Sequence, residues 1–274
     1  MKRNITMMKD TSELNQEALV ECLKENPIVT DIHYYQEVDS TNTLACRLAL
    51  GGAREGVVVV ADAQIKGRGR LNRAWQSPQG MNLYTSTILR PKIEPAMAPQ
   101  MTLMAGLAVA DLFSLFCPGG VSIKWPNDVL LKGKKACGIL TEMKAAAGSL
   151  DFIILGIGLN INMNREDFDP SLRETATSLK METGKTCDRL DVISKQFDFM
   201  EKWYKVFLKE GFSGLRGDWM RYADILGKRI RVAYKDEFQT GTVTGIEEDG
   251  TIRMQDEQGA SHRVIAGDVH LLGG

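Results

Sequence analysis

Residues 56–61 read Gly-Val-Val-Val-Val-Ala. An unbroken β-branched run leaves no polar position to turn toward water, so it fits a strand buried on both faces. The chain around it must therefore supply a sheet with cover, and 274 residues are enough to bury a sizeable core in one or two domains. Further strands are expected over 33–38, 83–89 and 121–125. Residues 137–143 and 152–162 read as an antiparallel pair with a turn at 145–149.

Helical patterning fills the gaps. A short helix is expected over 12–25, capped by Ser12, with Leu14, Ala18, Cys22 and Leu23 near one face and Pro27 stopping it. Ser40 or Thr41 can cap a second helix that runs through Leu44, Ala45 and Leu48 to Gly51-Gly52. Residues 99–116 are apolar nearly all round and suited to a buried helix, and the most apolar run within them, 103–116, is too short to span a bilayer. A short helix is expected over 175–179. Leu190, Ile193, Phe197, Met200, Tyr204 and Phe207 keep three-four spacing up to Gly211, which marks an amphipathic helix with core aromatics. From about Ile225 the pattern changes to short alternating strands over 230–234, 240–246, 251–254 and 262–265. Tight-turn residues lie between them, as in a small β-barrel appended to the larger body.

Charge and cysteine usage narrow the class. The net charge is −1, which argues against the whole chain binding nucleic acid. The stretch ahead of residue 33 is also short for a DNA-binding domain of roughly 60 residues. Five scattered cysteines form no CxxC or Cys/His cluster, so neither a disulfide framework nor a zinc site is indicated. The pattern suits a cytoplasmic protein.

Three polar clusters stand at strand ends: 39–42 (Asp-Ser-Thr-Asn), 67–78 (GRGRLNRAWQSP), and 124–128 (Lys-Trp-Pro-Asn-Asp) with Lys135. The middle one places glycines, for tight turns and close approach, among Arg68, Arg70 and Arg73, with the flat ring of Trp75 beyond. Each cluster alone also fits a solvated turn or a cap. Gly156 and Gly158 inside a strand point to close approach by a ligand or another backbone, and do not complete a GxGxxG. There is no GxSxG elbow or GxxxxGK[ST] loop. Together the clusters supply cations, a carboxylate and small polar donors, a set suited to nucleotidyl transfer onto a carboxylate. There, neutralising phosphate charge is the main requirement. A carboxylate nucleophile, with a pKa of about 4, needs no general base.

Ser40-Thr41-Asn42, the GRGRxxRxWxSP stretch, Lys124-Trp125-Pro126-Asn127-Asp128, Lys135 with Gly138-Ile139-Leu140, and Gly156-x-Gly158-x-Asn160 occur in one order over residues 32–272. In these motifs the chain resembles the biotin–protein ligases, of the type lacking an N-terminal DNA-binding domain. The resemblance implies an α+β fold: a central mixed or antiparallel sheet with helices on one side (the class II synthetase-like, biotin–lipoate ligase fold) plus a C-terminal SH3-like β-barrel. It implies a catalytic domain over 1–223 and the barrel over 224–274.

The implied reaction uses biotin, ATP and Mg²⁺ to form biotinyl-5′-AMP, which a lysine of a biotin carboxyl carrier protein then attacks. No DNA or membrane partner is implied, and a homodimer is an open possibility. Carried over by motif, Ser40, Thr41, Asn42, Gln64, Gly67, Arg68, Gly69, Arg70, Lys135, Gly138, Gly156 and Gly158 would bind biotin. Arg68, Arg70, Arg73, Trp75, Lys124, Asn127 and Asn160 would bind the nucleotide. Lys135, Arg70 and Asp128 would be catalytic, with 67–75 closing as a lid. Two readings stand for Asn127 and Asp128. They hold Mg²⁺, or Asp128 takes the proton of the incoming lysine, whose pKa is about 10.4. Members of the family commonly carry glycine where this loop has Asn72 and where it has Gln79; Asn tolerates positive φ better than most residues. Lipoate or octanoate ligation, and non-catalytic biotin sensing, are the alternatives.

Overall fold

The computed structural model of the chain describes residues 14–146, 148–234, 237–265 and 267–272. The chain runs through α1 (Gln16–Leu23), β1 (Asp31–Val38), α2 (Thr41–Leu50), β2 (Val57–Gln64) and β3 (Leu83–Leu89). Next come α3 (Gln100–Phe116), β4 (Val121–Lys124), β5 (Asp128–Leu131), β6 (Lys134–Ala146) and β7 (Ser149–Leu159). After α4 (Leu179–Thr183), α5 (Arg189–Glu210) and α6 (Ser213–Tyr222), the chain ends in β8 (Arg229–Tyr234), β9 (Glu237–Ile246), β10 (Ile252–Gln255), β11 (Ser261–Val264) and β12 (Asp268–Leu271).

β1 to β7 form one mixed sheet in the order β1-β2-β3-β7-β6-β5-β4. β1 and β2 pair in parallel and the other neighbours are antiparallel. The valine run behaves as its composition requires, with every residue of Val57–Ala63 buried. Val58 and Val60 enter the main core with α3 and α5, whereas Val57 and Val59 pack with Ala45 and Ala49 of α2. Successive strand side chains point to opposite faces, so α2 covers the face opposite α3 and α5. Helices on one side therefore describes α1, α3 and α5, and α2 departs from it.

α3 is the central helix. The run Pro95–Phe116 is long and apolar enough to cross a bilayer, but 78% of its apolar window is buried inside the protein. On α5, Phe197, Tyr204 and Phe207 are buried, and Gly211 takes a positive φ at its end.

Four local expectations change. The cap placed at Ser12 lies outside the described residues; the described α1 is capped by Asn15, which accepts from Ala18 N, and it buries Leu19 and Leu23 instead of Ala18. The helix expected over 175–179 starts at Leu179, because Ala176 pairs with Lys135 in a β-bridge and Ser178 is the N-cap of α4. α6 was not expected. Its sequence carries Gly214 and Gly217, and it is held by burying Leu215 and Trp219, the latter edge-on to Phe212 at 6.1 Å. β12, also not expected, pairs with β8 and completes a five-stranded sheet in the order β11-β10-β9-β8-β12.

This small C-terminal sheet buries Ile230, Val232, Val243, Ile252 and Val269 in continuity with the main core. Trp125 Nε1 donates to Gly250 O at 3.0 Å, and Arg216 Nε to Ile246 O at 2.7 Å. Gly250 has φ +82°, and a Cβ there would stand 2.2 Å from Leu103 of α3.

Candidate active site

α2 covers only part of its face of the sheet. Beyond it lies a cavity of about 650 Å³, within the usual size of a small-molecule site. Across its floor Tyr84, Gly158, Gly138, Asp128 and Lys124 are successive register partners on β3, β7, β6, β5 and β4. Partners in register share a face, so the polar ends of this row open into one space. The glycines keep its middle bare. A Cβ on Gly156 would lie 2.0 Å from Asn42 Oδ1, and one on Gly158 would lie 2.5 Å from Trp75 Nε1. The close approach expected at these glycines is thus made by two side chains of the protein.

One end of the cavity is a buried neutral polar pocket. Ser40, Thr41 and Asn42 are each at most 4% exposed. Ser40 stands at the N-cap of α2 without a side-chain capping bond. Thr41 donates from N and Oγ1 to Gln64 Oε1 (2.9 and 3.1 Å), and Gln64 Nε2 donates to Ser77 Oγ at 2.9 Å. Asn42 Nδ2 donates to Leu140 O and to Glu142 Oε2 (3.2 and 2.9 Å). Its Oδ1 accepts from Ser86 Oγ at 2.6 Å. These groups fix donors and acceptors in place without net charge, which suits a neutral hydrogen-bonding head group.

The other end is cationic. Lys135 Nζ pairs with Asp128 Oδ1 at 2.6 Å and lies 5.3 Å from the centre of the Trp75 ring. Arg70 donates to Asn127 Oδ1 and to Gly267 O of the C-terminal sheet (3.0 and 3.2 Å). Arg68 Nη2 donates to Glu142 Oε2 at 2.5 Å. Gly69, Arg73, Lys124 and Asn160 line the same cavity. Asn160 also donates to Thr177 O at 3.0 Å, tying the wall to the segment before α4.

The loop of residues 67–75 is a small closed hairpin. Arg68 bridges Ala74, Gly69 N donates to Arg73 O, and Trp75 N donates to Gly67 O. Its tip carries Leu71 and Asn72 at φ 53° and 57°, so Asn72 does adopt the left-handed region its side chain tolerates. Near Gln79 the positive φ falls on Gly80. Gly67 does not line the cavity. A Cβ on it would stand 2.3 Å from Trp75 O, so glycine there lets the hairpin close.

Among the described residues no group of three or more His, Cys, Asp or Glu could cage a metal. Mg²⁺, which keeps waters and substrate phosphates as ligands, asks for only one or two protein oxygens. Asp128 fits, since its Oδ1 is buried and meets Lys135 out of hydrogen-bonding alignment. Asn127 fits less well, because its Oδ1 accepts from Arg70 and its Nδ2 donates to Ile139 O.

Several wall residues were not expected: Tyr84, Phe168, Leu172, Thr175 and His270. Burial holds the Tyr84 phenol neutral far above its ordinary range. Its OH donates to Pro78 O. Burial likewise pushes up the Cys137 thiol, which is fully enclosed and no nucleophile. The available signal on the fully buried β3 was Ser86, whose hydroxyl meets Thr41 and Asn42, whereas Thr85 accepts from Gln196 of α5 on the opposite face.

The arrangement has counterparts. Residues 34–160 match the model of the biotin/lipoate A/B protein ligase family, and residues 225–272 match the biotin protein ligase C-terminal domain. The chain is 34% identical to the bifunctional ligase/repressor BirA of Bacillus subtilis, over 98% of its own length and 83% of the relative's. It is 31% identical to the biotin–[acetyl-CoA-carboxylase] ligase of Paracoccus denitrificans, over 81% of this chain and 92% of that one. The structure of a biotin protein ligase from Aquifex aeolicus in complex with biotin and ATP superposes with a TM-score of 0.76. It is 30% identical and covers 89% of this chain and all of that one.

Proposed function

The chain belongs to the biotin/lipoate A/B protein ligase family, and from that premise we infer that it is a biotin–protein ligase working in two steps. In the first, the carboxylate of biotin attacks the α-phosphorus of ATP, a P–O bond to pyrophosphate breaks, and biotinyl-5′-AMP forms. In the second, a carrier lysine attacks the acyl carbon, an amide forms, and AMP leaves. The observation that carries this reading is a neutral polar pocket and a cation cluster at the two ends of one cavity.

Ser40, Thr41, Asn42 and Gln64 present fixed donors and acceptors to a ureido ring, and Gly138, Gly156 and Gly158 let Trp75 and Asn42 close in beside it. Lys135, with Arg68 and Arg70, neutralises charge as one anion attacks another. Arg73, Lys124, Trp75, Asn127 and Asn160 form the nucleotide end. Mg²⁺, when bound, supplies charge to the phosphates, with Asp128 as its protein ligand. The other reading of Asp128 is that its carboxylate, instead of holding the metal, receives the proton of the attacking lysine. The hairpin of residues 67–75 covers the adenylate against water.

We place the catalytic work in residues 1–223 and assign 224–274 as a barrel that borders the site, where Gly267 O holds Arg70. The partner is the biotin carboxyl carrier domain of a biotin-dependent carboxylase. The cytoplasm is the compartment, consistent with five free cysteines.

Isotope exchange between pyrophosphate and ATP tests the reading. Exchange that requires biotin is expected. Exchange driven by lipoate or octanoate but not biotin would move the specificity to the other branch of the family, and tight biotin binding with no exchange would make the protein a sensor.

A further inference from the structure

Glu142 takes no part in the chemistry above and does not line the cavity, yet it ties the head-group pocket to the arginine hairpin. It lies on β6, four residues past Gly138 and therefore on the same face of the strand. One carboxylate oxygen, Oε2, accepts from both Asn42 Nδ2 (2.9 Å) and Arg68 Nη2 (2.5 Å). From Asn42 the bonds continue through Ser86 Oγ (2.6 Å) to Thr41 Oγ1 (2.8 Å), then Gln64 and Ser77 Oγ, which donates to Trp75 O at 3.1 Å. Trp75 N donates to Gly67 O, next to Arg68. The first and last residues of the hairpin are thus tied into one circuit that passes through the head-group pocket.

Two properties of a carboxylate make Glu142 the controlling member. It offers only acceptors, so Asn42 must turn Nδ2 toward it and Leu140 O, leaving Oδ1 for Ser86. It is also charged, so it holds Arg68 more strongly than a neutral acceptor would. A glutamine at this position could still accept from Asn42, which Leu140 O keeps turned the same way, but has no charge for Arg68.

We propose that Glu142 is a positioning residue that couples head-group binding to the placement of the lid, through the single oxygen shared by Asn42 and Arg68. The proposal rests on the biotin-ligase reading and goes beyond it by assigning a residue outside the cavity. It is a statement about linkage: what fixes Asn42 also fixes Arg68, and a ligand that settles one settles the other.

A double-mutant cycle on biotin affinity, measured calorimetrically without ATP, tests it. Glu142→Gln and Arg68→Gln are each expected to weaken biotin binding about tenfold, the double variant no further than either alone. Biotin should protect the hairpin from tryptic cleavage in the wild type and fail to do so in Glu142→Gln. Additive effects, or undiminished protection in Glu142→Gln, would overturn the coupling. If Glu142→Gln does not fold, Glu142→Asp, which keeps the charge but is one methylene shorter, replaces it, and undiminished protection of the hairpin by biotin in that variant contradicts the proposal. A wild type that does not bind biotin would instead defeat the functional reading.

Discussion

A Cβ placed on Gly158 would stand 2.5 Å from Nε1 of Trp75, and one on Gly138 would stand 2.8 Å from the same indole. The last residue of the arginine hairpin is therefore seated on the two bare glycines of the cavity floor, which are register partners on β6 and β7. The hairpin and the floor are shaped to each other. Gly158→Ala forces the indole off this seat, an overpacking that costs about 1–3 kcal/mol. The variant is expected to fold, to show red-shifted tryptophan emission that a Trp75→Phe background abolishes, and to adenylate biotin at least about tenfold more slowly.

Lys135 meets Asp128 at 2.6 Å and lies over the Trp75 ring. The proposed reaction assigns it the biotin carboxylate and the phosphate. Removing one charge-assisted hydrogen bond costs about 1.5–3 kcal/mol, so Lys135→Ala should slow adenylation roughly ten- to a hundredfold per bond lost. Rapid-quench measurement of biotinyl-AMP formation checks this, and a near-normal rate would mean the carboxylate lies elsewhere.

Arg70 has a different task. Its guanidinium spans from Asn127 to Gly267 O, tying the hairpin to the C-terminal sheet. Arg70→Gly should let the hairpin open and release free biotinyl-AMP about tenfold faster, while its formation falls less than that. Chromatography of the unbound adenylate after one turnover separates the two effects.

Asp62 and Arg189 form an ion pair at 2.5 Å with side chains only 10% and 7% exposed. Arg189 also donates to Asn82 O. Taking away one partner strands a buried charge, so Asp62→Ala should lose about 3–5 kcal/mol in urea unfolding. Replacing both residues by apolar ones of similar volume should recover most of that loss.

How far the fold and the site were legible in the sequence depends on where each signal lives. The valine run of β2 and the stripe of α5 are local periodicities, and burial in the folded chain matches them. The three polar clusters could be grouped because motif order carried the grouping; their meeting around one cavity is a property of the tertiary fold that no local pattern displays. α6 stayed hidden because Gly214 and Gly217 lower its propensity, and its stability comes from tertiary burial of Trp219. The segment before α4 misled because its extended form depends on pairing with Lys135, some forty residues earlier in the chain. Glu142 had no sequence signal at all: its partners Arg68 and Asn42 lie 74 and 100 residues away.

The task assigned to this cavity is to activate biotin and deliver it to a carrier lysine. Both halves are read at once by incubating the protein with biotin, MgATP and a purified biotin carboxyl carrier domain, then weighing the carrier by intact mass spectrometry. The carrier should gain one biotinyl group, a gain absent without ATP and abolished when its acceptor lysine is replaced by arginine. A carrier of unchanged mass, in a reaction where biotinyl-AMP accumulates or never forms, would contradict that assignment.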